Sequence, residues 1–398
     1  MSKGVAVTGM GIISSIGNNV EENYLSLINK KQGIDKIQKI NTIHKEAIKV
    51  GEIHFSNDEL VKMLGLPKDN NYSRTAMLGE VAAKEAIKSA QITDVNKYRT
   101  GLISATSVGG MDMTEQFFYS HFKEDKNHRY IESHNAGDST SKIAKSLGIH
   151  ELVTTISTAC SSSANAIMLG ARLIKAGKLD RVVVGGADCL SKFTINGFKT
   201  LMILSETDCK PFDENRTGLN LGEAAAFLVL ESDEVVKQEN KKVLAYVSGY
   251  ANANDAFHQT ASSADGQGAT LAMQKALKVA KLQAKDIDYI NAHGTATPNN
   301  DQSESQALVN VFGDKVPAFS STKAYTGHTL AAAAAVEAVY SILALQHKTM
   351  FPNLNFETPI SETGLIPITE PVIKDLNNVL SNSFGFGGNC STLIFSKA

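Results

Sequence analysis

A chain of 398 residues with 42% hydrophobic and 20% charged content can bury a large α/β core, and such a composition excludes disordered and fibrous classes. A formal net charge of −2 and a pI of about 6.6 supply no global field for nucleic acid or an anionic membrane. The four cysteines, Cys160, Cys189, Cys209 and Cys390, stand far apart with no Cys-x-x-Cys pair, which argues against a disulfide framework or a zinc site and predicts thiols in a reducing compartment.

The chain enters a strand at Gly4-Val5-Ala6-Val7 with no apolar signal core ahead of it. No uninterrupted apolar run approaches the ~20 residues of a bilayer span, so a cytoplasmic protein is expected. Gly9 and Gly11 predict a turn, but Ser14 stands where a dinucleotide fingerprint needs its third glycine. Asn18 or Asn19 caps a helix running to about Lys31, and residues 32–72 read as an excursion from the core. Ser73 caps a helix to residue 90, and a strand at 100–106 ends in the glycine-rich turn Ser107-Val108-Gly109-Gly110. Aromatic and charged residues alternate through 115–130, a solvated face by default and a docking surface for an acidic partner as the sharper reading. Residues 137–147 are expected to be helical.

A β-branched run at 152–156 precedes Thr158-Ala159-Cys160-Ser161-Ser162-Ser163, and a helical pattern follows over 164–176. Cys160 therefore sits at a strand-to-helix turn, where unpaired N–H groups and the helix dipole favour a thiolate and lower its pKa. A small buried hydrophobe at a tight junction is the alternative. Near-continuous apolar runs at 181–187 and 227–230 predict parallel strands covered on both faces. A charge cluster at 237–242 marks the internal boundary. Strands at 243–250, 287–291 and 318–320 then alternate with helices at 268–281, 301–311 and, rich in alanine, about 329–345. The chain thus divides into two α/β halves, 1–241 and 242–398.

Three loops in the second half can carry chemistry. His293 lies at a strand's carboxyl end in Ala292-His293-Gly294-Thr295-Ala296-Thr297-Pro298, and Lys323 and His328 lie in the loop after strand 318–320. The segment Asn382-Ser383-Phe384-Gly385-Phe386-Gly387-Gly388-Asn389 has glycines that let backbone N–H groups approach a ligand, as an oxyanion hole requires.

These four segments stand in the order found in elongating β-ketoacyl-acyl carrier protein synthases. The chain resembles that family over nearly its whole length, including residues 211–222 and Asp255-Ala256-Phe257-His258. The resemblance implies the α/β thiolase fold, two similar halves in five alternating layers of α and β. It implies Cys160 as the nucleophile, His293 and His328 as donors to an enolate, and Lys323, paired with Glu337, as the group that orients them. The backbone N–H groups of Cys160 and Phe386 would form the oxyanion hole, with Phe386 as a gate beside Phe384. Thr295 and Thr297 would bind a pantetheine arm, and Asp301 and Glu304 would be supports. No metal or cofactor is implied, because the acyl groups ride on the phosphopantetheine of acyl carrier protein. The implied partners are that carrier and a second subunit, identical or resembling a chain-length factor.

Asn389-Cys390-Ser391 departs from the Thr-Asn-Gly more common in this loop. Cys390 brings degradative thiolases into view, and a non-catalytic chain-length subunit is the other alternative, although such subunits lack the nucleophile. By the same resemblance residues 134–141 should approach the acyl pocket. Their polarity, together with Asn196-Gly197-Phe198 and the start of the Cys160 helix, is similar to ketosynthases of aryl polyene and flexirubin pigment clusters. Polyene or polyketide elongation is therefore expected, with fatty-acid elongation next.

Overall fold

Strands that are apolar on both faces need cover on both faces, and here ten of them join into one mixed sheet. The computed structural model describes residues 4–398; the segment ahead of the first strand, residues 1–3, lies outside the described residues. The first half contributes β1 (Val5–Ser14), β2 (Thr100–Ala105), β3 (Leu152–Ile156), β4 (Arg181–Asp188) and β5 (Ala224–Glu231). The second contributes β6 (Ala245–Asn254), β7 (Tyr289–Asn291), β8 (Ala318–Ser320), β9 (Asn378–Gly385) and β10 (Asn389–Ser396).

From the centre outward the halves run β1-β5-β4-β2-β3 and β6-β10-β9-β7-β8. In each, the two inner pairings are antiparallel and the two outer ones parallel. Antiparallel pairing of β1 with β6 over residues 5–7 joins them. The duplication is written in the topology, although no residue-level repeat marks it. One expectation is corrected: β5 pairs antiparallel with both β1 and β4. Its apolar run reports burial on both faces and says nothing about strand direction.

Seven helices matter for the site: α1 (Arg74–Ser89), α2 (Ala136–Leu147), α3 (Ser162–Lys175), α4 (Lys192–Thr200), α5 (Gln267–Ala280), α6 (Pro298–Phe312) and α7 (Ala333–His347). α1 and α2 cover the outer face of the first half, and α5 and α6 that of the second. α3 and α7 lie between the halves in the largest core. The order of layers is α, β, α, β, α, the thiolase arrangement.

Gly9 and Gly11 make no turn; they lie inside β1, whose backbone α1 crosses closely. A Cβ at these positions would stand 2.4 Å from Ala86 O and 2.2 Å from Ala82 O, so only glycine fits. The supposed excursion at 32–72 also belongs to the core, for Ile37, Ile48, Val50, Ile53 and Leu60 are buried. Leu330–His347 is long and apolar enough to cross a membrane, contrary to the reading of the sequence, but 89% of it is buried inside the protein. Its alanines let the two halves approach with α7 between them. The helix expected to reach Lys31 stops at Ile28, and residues 382–385 and 389 belong to strands, leaving 386–388 as a tight hairpin tip.

Candidate active site

β3 ends at Ile156, and the chain turns sharply into α3 through Ala159, whose φ of 53° is affordable for so small a side chain. This elbow leaves Cys160 one residue ahead of the helix cap Ser161, buried at 6% exposure. The backbone N–H groups of Phe386 and of Cys160 itself point at its sulfur. The expected low thiol pKa is not found. Burial pushes it up to about 11, against the pull of Lys323 and those two N–H groups. Helix-end electrostatics is local and was legible; the extent of desolvation was not.

His293 follows β7, and the Glu304 carboxylate on α6 fixes its loop by accepting the backbone N–H of His293 at 2.9 Å and of Gly294 at 2.8 Å. Asn382 Nδ2 donates to the same carboxylate at 3.1 Å. Asp301, one turn earlier on α6, accepts from Ala296 N at 3.1 Å and Phe212 N at 2.7 Å, so both acids anchor backbone. Burial raises both, Glu304 to about 7.

Lys323 reaches His293 Nδ1 at 3.2 Å and His293 O at 2.6 Å, and its third donor goes to Glu337 of α7. Both members of this ion pair are 3% exposed. Glu337 also accepts from Ser383 Oγ at 3.1 Å, and burial raises its pKa against the opposing pull of Lys323.

These bonds settle two tautomers. An ammonium only donates, so His293 Nδ1 must accept and its proton sits on Nε2. For His328, the backbone N–H of Leu330 donates to Nδ1 at 3.1 Å, with the same result. Burial, with Lys323 adding repulsion, holds both imidazoles far below their ordinary pKa and therefore neutral. The rings lie 5.5 Å apart, nearly perpendicular. Two neutral imidazoles whose protons sit on Nε2 line the same cavity as Cys160.

Cys160 opens onto two cavities. The first, about 280 Å³, holds His293, His328, Phe384, Thr295 and Thr297 in its wall; the two threonine hydroxyls are 2.9 Å apart. The second, about 410 Å³, is walled by Val108, Phe193, Phe198, Leu201 and Leu330 and is the more open of the two, with Phe193 60% exposed. Phe198 and Phe386 line both, stacked with centroids 5.9 Å apart, and partition them. Phe384 lies 5.6 Å from the His293 ring. Residues 134–141 line neither cavity, contrary to expectation. Asn135 caps α2, and Thr140 accepts a hydrogen bond from Thr155 of β3 at 2.7 Å.

Cys390 lines the first cavity, but burial pushes its thiol up to about 12, which disfavours the acid–base role a thiolase would give it. Asp188 was missed by sequence reasoning. At the end of β4 its carboxylate accepts from Ser107 N at 3.1 Å, Ser107 Oγ at 2.6 Å and Ala331 N at 2.8 Å, fixing two walls of the second cavity. An acid closing an apolar strand was the available signal.

Residues 2–235 match "Beta-ketoacyl synthase, N-terminal domain" and residues 244–357 match "Beta-ketoacyl synthase, C-terminal domain". The chain is 34% identical over 415 residues to a 3-oxoacyl-[acyl-carrier-protein] synthase 2 of Staphylococcus aureus (strain COL), covering 100% of this chain and 99% of that protein. Among solved structures, the ishigamide ketosynthase/chain length factor superposes with a TM-score of 0.92 at 29% identity over 99% of both chains. A type II polyketide ketosynthase bound to the hexaketide, in complex with its acyl-carrier protein, gives 0.89 at 27% identity over 100% of both.

Proposed function

The chain belongs to the β-ketoacyl synthase family, condensing acyltransferases that extend carrier-bound chains, and from that membership we propose a division of labour among its residues. Cys160 is the nucleophile. As a thiolate it attacks the thioester carbonyl of an acyl carrier protein; the tetrahedral oxyanion sits between the N–H groups of Cys160 and Phe386, and the carrier's thiol leaves. A second carrier brings a malonyl group through the first cavity, past Thr295 and Thr297, which hydrogen-bond its pantetheine. Loss of CO2 leaves an enolate, whose oxygen the Nε2–H groups of His293 and His328 stabilise. The enolate carbon attacks the acyl–Cys160 carbonyl, the same hole holds the second oxyanion, and collapse expels the Cys160 thiolate. The product is a β-ketoacyl chain two carbons longer on the second carrier. Lys323 and Glu337 keep His293 in the donating tautomer. No step calls for a metal or cofactor.

The observation that carries this reading is the pair of neutral imidazoles, each with its Nδ1 already accepting a bond, in one cavity with a buried thiol flanked by two backbone donors. The second cavity, walled by Phe193, Phe198 and Phe386, is the acyl pocket, with Phe386 as its gate. Its three phenylalanines suit a long conjugated chain, so we assign polyene or polyketide elongation ahead of fatty-acid synthesis. β3 is the outer edge strand of the ten-stranded sheet, with Val153 39% exposed, and supports pairing with a second subunit, a copy of this chain or a chain-length-factor type. The setting is cytoplasmic, without nucleic acid or membrane.

Intact-mass analysis of the wild type and Cys160→Ala, mixed with carriers loaded with saturated or polyenoyl chains, tests the assignment. A one-acyl gain lost in the variant is expected, strongest with polyenoyl chains. Acylation of the alanine variant would refute it, and failure with every carrier would favour a non-catalytic subunit.

A further inference from the structure

The two N–H groups that flank the Cys160 sulfur belong to segments 386 − 160 = 226 residues apart in the chain. Their spacing is therefore a tertiary property, and some contact must set it. Phe386 stands on a hairpin tip of three residues, with Gly387 and Gly388 at φ of 81° and 80°. At its foot the hairpin closes by pairing of Gly385 with Asn389.

We infer that Asn389 is a positioning residue that clamps this foot to the nucleophile elbow and so fixes the oxyanion hole. The inference rests on the assignment of those N–H groups made above. Asn389 Oδ1 accepts Asn165 Nδ2 at 3.0 Å and lies 2.9 Å from Ser161 Oγ and 3.3 Å from Ser391 Oγ. The Ser161 hydroxyl has one proton to share with Thr158 O at 2.7 Å, so the amide bond from Asn165 is the firmer tie. Asn165 spends its second amide proton on Thr158 Oγ1 at 2.9 Å and accepts from Asn252 Nδ2 of β6 at 2.9 Å. The Asn389 amide oxygen thus ties Asn165, and through Asn165 also Thr158 on the other side of Cys160, to the strand that carries the hairpin.

Close packing reinforces the bond. A Cβ at Gly385 would lie 2.6 Å from Thr158 O and 3.3 Å from Cys160 N, so the foot rests directly on the elbow. On its opposite side the tip is held through Gly387 N to Gln259 O and Asp255 N to Gly388 O, both 2.7 Å. Motion of the gate is then confined to residues 386–388, and it returns to the same donor spacing after each opening.

Asn389→Leu keeps the side chain's size and removes the acceptor; Asn389→Asp keeps acceptor oxygens. Single-turnover acylation by acyl carrier protein should fall about tenfold to hundredfold in the leucine variant, a misplaced oxyanion donor being less costly than a deleted one. The aspartate variant should recover most of the rate. Alkylation of Cys160 by iodoacetamide develops no oxyanion and feels those N–H groups only through the thiolate they help to hold, so in the leucine variant it should fall far less than acylation, and KM for the carrier should not move. Wild-type acylation in the leucine variant, or acylation and alkylation falling by the same factor, overturns the clamp. Should the leucine variant not fold, Asn165→Ala removes the opposite partner and is read the same way. A wild type that no carrier acylates refutes instead the assignment on which the clamp rests.

Discussion

Replacing Glu337 with glutamine removes one charge from the middle of the protein while keeping its shape. Lys323 would retain only neutral acceptors, His293 O at 2.6 Å and Nδ1 at 3.2 Å, plus the new amide oxygen. With both side chains 3% exposed, solvent cannot replace the lost carboxylate. Leaving a buried charge unpaired costs about 3–5 kcal/mol, a large part of the ~5–15 kcal/mol that holds a typical fold. Without the carboxylate nothing holds the ammonium in place against His293 Nδ1, the imidazole samples its other tautomer, and one enolate donor is lost. Thermal denaturation should show a large drop in Tm, and condensation should slow more than acylation. The double variant Lys323→Met/Glu337→Leu should regain most of the stability, since removing both charges leaves neither unpaired, but not the condensation rate. A Glu337→Gln protein as stable and as fast as wild type, or a double variant less stable than the single, would refute the reasoning.

Three further outcomes are expected. With the Cys160 thiol at about 11, iodoacetamide alkylation in the absence of substrate should climb about tenfold per pH unit from 7 to 9; a plateau below pH 8 would contradict it. The His328 imidazole is held neutral well below its ordinary pKa by burial and Lys323, whereas unfolded it gains a proton below about pH 6.5. Its stability contribution is therefore complete above that pH and shrinks on acidification, by up to ~1.4 kcal/mol per unit. Denaturation of wild type and His328→Gln between pH 7 and 5 isolates this slope, because the buried carboxyls, which act in the opposite sense, cancel in the difference. Finally, Gly11→Ala would set a methyl 2.2 Å from Ala82 O, while one at Gly197 meets nothing within 4 Å. Calorimetry should show the first destabilised by ~1–3 kcal/mol or more and the second unharmed.

The groups that the structure gathers around the cavity were legible because each is announced by its immediate neighbours. Cys160, His293, Lys323 and His328 all follow strands and sit among small or turn-forming residues, so local sequence places them at the carboxyl ends where α/β sites form. What local sequence cannot carry is direction, depth and partner. β5 has the apolar run of a parallel strand, yet it is antiparallel to both neighbours. The Gly9-x-Gly11 pattern looks like a turn, and only the crossing of α1 shows why glycine is needed there. The thiol was expected to be acidic from its helix end, but its burial depends on the Phe386 hairpin, more than two hundred residues away. Asp188 escaped for the same reason, its partners being distant in the chain; Asn389 stands in the glycine-rich segment, but nothing there shows that its partners lie at the Cys160 elbow.

The sandwiching of α3 against α7 has a consequence for how the protein is made. Ala335 N donates to Ser163 Oγ at 2.9 Å, and Ala164, Ile167, Met168 and Ala171 of α3 are buried in the core they share with α7. The two helices begin 333 − 162 = 171 residues apart. At a ribosomal rate of ~5–20 residues per second, α3 is synthesised about 10–35 s before its cover exists. Throughout that interval the nascent first half carries an uncovered apolar face and the Cys160 thiol beside it. Yield in a cell thus depends on how quickly the ribosome proceeds past residue 175 and on what shields α3 until it does.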